Sequence, residues 1–134
     1  MRYLVTLFCT LFFTLSVTAQ DGPPFSRARV VGNTIYLAGQ LGFDAEKGQL
    51  APGGVGPQTR QALENIKATL EANGSDMSKV VKCLVILADI DEWAAMNEVY
   101  VTYFSKPYPA RTAFGTSGLA RDARVEIECI ATVN

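Results

Sequence analysis

Histidine is absent from all 134 residues, which narrows the chemistry open to this chain. No Ser-His-Asp or Cys-His nucleophile pair can be assembled within it. Neither can an HExxH zinc site or an imidazole proton shuttle. Acid–base work falls to carboxylates, lysines, tyrosines or cysteines. Two residues stand out. Arg111 follows Pro109-Ala110, so its backbone is restrained at the start of a strand, and its planar guanidinium fork suits a carboxylate. Glu126 lies on a later strand that is expected to pair with that of Arg111. Gly39, just past an earlier strand, leaves room for a ligand to approach backbone N–H groups. Residue types alone leave two readings of Arg111 and Glu126 open: a structural ion pair between strands, or a small anion site.

The elements that must hold these residues follow from periodicity. Residues 27–31 and 34–38 read as two strands around a Gly32-Asn33 turn. Residues 42–54 form a polar, Gly-containing loop. In 58–73, Ala62, Leu63, Ile66 and Leu70 recur at spacings of three and four, which predicts a helix with one apolar face; Gly74 ends it. Residues 79–87 are nearly continuous and β-branched, which predicts a strand buried on both faces. Asp89 or Asp91 can cap a second helix reaching about Phe104. Its Trp93, Met96, Val99, Tyr100 and Tyr103 or Phe104 follow helical spacing and are expected in the core. Residues 106–109 break that helix, and 111–115 and 124–133 make the last two strands.

The order is therefore ββαβαββ, an α+β fold with two helices on one face of a mixed sheet. Along the last strand Val125, Ile127 and Cys129 alternate with Arg124, Glu126 and Glu128. Period two sends the apolar set under the helices and the charged set to the opposite face. Leu84 and Ile86, or Val85 and Leu87, would leave a second apolar face needing cover, which predicts self-association.

Composition bounds the rest. The length suits one domain. Hydrophobic residues make up 49% and the formal net charge is −1, so disorder is disfavoured and no basic track for nucleic acid is present. Residues 1–19 have a short positive start, an uncharged apolar stretch and a small-x-small end at Val17-Thr18-Ala19, the layout of a signal peptide. That stretch is shorter than the roughly 20 residues of a spanning helix. The expectation is a cleaved leader, a domain over 20–134, and a periplasmic or secreted protein without a membrane anchor. Cys83 and Cys129 sit in apolar strands, where a free Cys behaves as a small hydrophobe, and two buried thiols are favoured over a bridge.

The stretch PARTAFGTSGLARDARVEIECIA, residues 109–131, resembles the signature of the Rid (YjgF) family. So do PFSRARVVGNTIYLAGQLGFD, QTRQALENIKATLEANGSDMSKVVKCLVIL and DEWAAMNEVYVTYF, in the same order. The resemblance covers roughly residues 23–132. It implies a chorismate-mutase-like fold, a homotrimer with clefts between subunits, and hydrolysis of reactive 2-imino acids or their enamines to 2-oxo acids and ammonia, with no cofactor. The alternative is a trimer that holds a small carboxylate without turnover. By the resemblance Arg111 grips the substrate carboxylate and Glu126 places the attacking water. Ala38 and Gly39 line the pocket as backbone, and Asn97 lies near the cleft. Phe25 and Ala113 are also expected to line the pocket, although Phe25 stands where the family's deaminases usually have a Tyr and Ala113 where many carry a Cys; Arg27 stands where a Gln is common.

Overall fold

The computed structural model describes residues 22–133; the leader expected over residues 1–19 lies outside the described residues. A hairpin opens the fold, β1 (Ala28–Val31) and β2 (Thr34–Leu37), turned by Gly32 at a φ of 56° that favours glycine. Strand β3 (Gln40–Leu41) follows, and within the Gly-containing loop lies a small hairpin, β4 (Phe43–Asp44) with β5 (Gln49–Leu50). Helix α1 spans Val55–Glu71. It starts three residues earlier than its apolar stripe suggests, because Pro57 falls in the first turn, where a missing N–H costs nothing. Gly74, at a φ of 74°, ends the helix region, with the Ser75 N–H bonded back to the Leu70 carbonyl at 3.0 Å.

Strand β6 (Val80–Leu87) leads to helix α2 (Trp93–Tyr100), which is entered through a 3-10 turn capped by the Asp89 carboxylate on the Asp91 N–H. Strands β7 (Ala110–Gly115) and β8 (Val125–Thr132) complete the fold. The sheet runs β1-β2-β8-β6-β7, with β3 also on β8. Among the described residues only the β6–β7 pair is parallel, and β8 is antiparallel to β2, β3 and β6. Both helices cover one face. Ile35, Leu63, Ile66, Leu70, Val85, Leu87, Met96, Val125 and Ile127 are all buried between the layers, each contributing about 1.5–3 kcal/mol of hydrophobic stabilisation.

Several expectations need correction. Arg111 and Glu126 are not on paired strands: β6 lies between β7 and β8. Strand β6 is not buried on both faces. Cys83, Val85 and Leu87 are buried under the helices, whereas Leu84 and Ile86 on the open face are half-buried. Cys83 and Cys129 are not two thiols but a disulfide; they are directly opposed in the β6–β8 register, with Cα atoms 4.1 Å apart, and both point into the core. Trp93 is not in the core, being 39% exposed.

Two features fix the start of β8 against the helical layer. The Arg124 backbone N–H donates to the buried Gln58 side chain at 2.8 Å. Its guanidinium reaches Glu92 at 2.8 Å and Asp89 at 3.6 Å.

Candidate functional site

Strand β7 sets Arg111. In the parallel register Arg111 stands beside Cys83, and paired residues of a ladder point to the same side. Cys83 is buried under the helices, so Arg111 also projects to the helical face. There α2 offers Trp93, Asn97 and Tyr100, at positions i, i+4 and i+7, which form one stripe on a helix. Arg111 Nη1 donates to Asn97 Oδ1 at 2.8 Å. The guanidinium carbon lies over the Tyr100 ring, 4.6 Å from its centroid, and over the Trp93 ring at 5.4 Å. Among the described residues no carboxylate lies within ion-pair distance of Arg111. A half-buried cation is thus held by aromatic faces and one amide oxygen, its charge uncompensated. Burial pushes the Tyr100 phenol above its ordinary pKa, against the opposing pull of Arg111, so the ring stays neutral at physiological pH. A cleft of about 320 Å³ adjoins the guanidinium, lined by Asn97, Tyr100, Val101, Tyr108, Pro109 and Arg111. A larger cavity of about 560 Å³, near Met77 and Lys106, touches neither Arg111 nor Glu126.

Glu126 belongs to the other face. Its neighbours Val125 and Ile127 are buried under the helices, so alternation turns Glu126 outward. Opposite it, the pairing of β8 slips. Tyr36 faces Ile130, but Gln40 faces Ile127, so four steps on one strand match three on the other. This is a one-residue bulge, a device that re-aims side chains. It carries Gly39 up against Glu126, where a Cβ would collide with the carboxylate. The room expected at Gly39 for a ligand is therefore taken, in this protomer, by the Glu126 side chain. Ala38 is held by its N–H on the Arg27 carbonyl at 2.9 Å, and its own carbonyl accepts from Gln40 Nε2 at 3.1 Å.

The expected site residues therefore fall into two groups. Arg111 and Asn97 meet on the helical face, with Ala113 two residues further along the same face of β7 and packed on the core. Glu126, Gly39 and Ala38 meet on the open face. Phe25 joins neither, being 62% exposed before β1. Helical spacing reads as packing, which hides Trp93 and Tyr100 as site residues; their helical spacing from Asn97 is the signal that marks them.

A family model described as Endoribonuclease L-PSP matches residues 19–133. The chain is 50% identical over 108 residues to the 2-iminobutanoate/2-iminopropanoate deaminase of Capra hircus, covering 81% of this chain and 79% of that protein. It is 46% identical to a RutC family protein of Pyrococcus horikoshii, covering 81% and 86%. Among solved structures, RidA from an Antarctic Psychrobacter is similar with a TM-score of 0.79 and 45% identity, covering 86% of this chain and 92% of that one. E. coli TdcF with bound serine has a TM-score of 0.78 at 28% identity, covering 85% and 91%.

These relatives correct the exported reading. The mammalian and archaeal relatives give no support to a signal peptide or to a secreted or periplasmic protein, and those readings are not carried further. Among the described residues no helix is long and apolar enough to cross a membrane.

Proposed function

Since the chain belongs to the Endoribonuclease L-PSP (Rid) family, we propose that it hydrolyses 2-imino acids, or their enamine tautomers, to 2-oxo acids and ammonia. The observation that carries this reading is the half-buried Arg111 guanidinium, fixed by Asn97 and two rings and, among the described residues, without a carboxylate partner. Such a group is ready for a bidentate carboxylate. The deaminase names of the mammalian relatives supply the reaction class. The family description names an endoribonuclease, but this chain has no histidine for RNA cleavage and a net charge of −1, so the deaminase relatives set the reading.

The mechanism needs little machinery. An imine carbon next to a carboxylate is already electrophilic, and the protein's tasks are to orient it and to supply a water. Arg111 takes the carboxylate. Glu126 accepts a proton from the water as its oxygen bonds to C2 and passes it to the nitrogen as the C=N π bond opens, giving a neutral carbinolamine. The hydroxyl proton then moves through Glu126 to the nitrogen, the C–N bond breaks as the C2 carbonyl forms, and ammonia leaves with the 2-oxo acid behind. One water is consumed for each imine.

Arg111 and Glu126 project from opposite faces of one sheet, so a small substrate cannot meet both within a single protomer. The reading is therefore of clefts between subunits, where the open face of one copy meets the α2–β7 side of the next. The open face has the character of an interface: Tyr36 is 49% and Phe114 45% exposed, and half-buried Leu84 and Ile86 lie between them. Two different surfaces meeting head to tail generate a ring where the rotation between copies closes, and a homotrimer is the ring proposed.

The test is ammonia release from 2-iminobutanoate generated in situ by an amino-acid-consuming enzyme, measured against the uncatalysed rate. Acceleration supports the deaminase. Saturable binding of 2-oxobutanoate with no acceleration would make the site a carboxylate receptor instead. Within the deaminase reading, Gly39→Ala should lower kcat about 10-fold without unfolding the protein, because its methyl group displaces the Glu126 carboxylate and misplaced catalytic groups lose rate steeply. Steady-state kinetics with a circular dichroism control checks this.

A further inference from the structure

We propose that Trp93 is a positioning residue for Arg111, setting carboxylate affinity through its indole face and reporting occupancy of the site. The inference rests on Arg111 being the carboxylate clamp. Trp93 stands at the start of α2, half-exposed, at a place where a merely structural aromatic would be buried as Met96 and Tyr100 are. Its ring instead lies under the guanidinium, 5.4 Å from the Arg111 carbon. The aromatic faces attract the cation without using any N–H, because the attraction is to the ring quadrupole. Asn97 takes a hydrogen from one terminal nitrogen. The remaining donors stay available for a ligand, and the fork is held still before the ligand arrives. Preorganisation of this kind raises affinity by reducing what must be ordered on binding. Trp93 also limits the access of water to one side of the cation, which strengthens the charge-assisted bonds made there.

Trp93 is the single tryptophan of the chain, so its fluorescence reads the site alone. A carboxylate arriving at Arg111 changes the field at the indole, and the emission should shift or quench in a saturable way when 2-oxobutanoate is added to the assembled protein. Arg111→Ala should abolish that response. Trp93→Leu removes the π face and should weaken 2-oxobutanoate binding, by calorimetry, about 3- to 30-fold, raising KM for the imine by a like factor while kcat changes less than about 2-fold. Trp93→Phe keeps a π face and should recover most of the affinity. A purely structural role predicts the opposite pattern: lower thermal stability, kcat and KM affected together, and no particular rescue by Phe. Trp93→Leu binding 2-oxobutanoate as tightly as wild type, while Arg111→Ala does not bind, would overturn this inference and leave the clamp standing. Equal binding by Arg111→Ala and wild type would overturn the clamp itself.

Discussion

Mixing the Arg111→Ala and Glu126→Gln variants, by unfolding them together and refolding, should restore about one quarter of the wild-type imine hydrolysis. Each variant alone should retain about 1% or less, since loss of a positioned base or of a charged clamp costs roughly 100-fold or more. The recovery follows from the sheet. Arg111 shares the helical face with Cys83, and Glu126 alternates with Val125 and Ile127 on the open face. In the proposed assembly a working site draws its Arg from one protomer and its Glu from a neighbour. In a randomly mixed ring, a site is intact when an Arg-bearing protomer precedes a Glu-bearing one, which happens one time in four. Ammonia release on mixtures whose mixing is checked by mass spectrometry of the native oligomer decides the matter. Fully mixed rings without recovery would place both groups in one protomer's site, contrary to the face assignment.

Arg111→Ala should weaken binding of 2-oxobutanoate roughly 30- to 1000-fold. Truncating one partner of a desolvated bidentate ion pair costs about 2–4 kcal/mol. The melting temperature should stay within about 3 °C, because Arg111 lies outside the buried core and forms no ion pair among the described residues. Arg111→Lys should fail almost as badly. An ammonium is a point charge; it can neither present the fork nor lie flat on Tyr100 and Trp93 while bonding Asn97. Titration calorimetry on the three proteins checks the order. Lys binding within a few-fold of wild type would mean that charge, and not fork geometry, holds the ligand.

Much of this arrangement is legible in the residues. Val125, Ile127 and Cys129 alternating with Glu126 and Glu128 assign the two faces of β8 without any structure. Ala62, Leu63, Ile66 and Leu70 assign the inner face of α1. What escapes is decided by pairing between distant segments. Local alternation is the same whether β7 lies beside β8 or beside β6, so the place of Arg111 relative to Glu126 depends on strand order, which no window of residues contains. The bulge at Ala38-Gly39 is a register difference between two strands and is equally hidden. Cys83 and Cys129 each look like small apolar residues, and only the β6–β8 register sets them opposite one another. Trp93 misleads for a related reason. An aromatic at helical spacing packs on whatever lies across from it, and here that is the guanidinium of Arg111 and not the apolar layer.

The position of β8 also bears on how the chain comes off the ribosome. It follows every other described strand in the chain, yet it lies at the centre of the sheet, between β2 and β6. Until residues 125–132 emerge, the N-terminal hairpin and the β6–β7 pair have no strand between them, and each presents a bare inner edge open to pairing with other chains. The final step must then close contacts as distant as Thr34 with Thr132, the non-local kind that makes folding slow. This domain cannot acquire its sheet piecemeal during synthesis. A premature stop before Val125 would release two half-sheets whose unpaired inner edges are prone to aggregate.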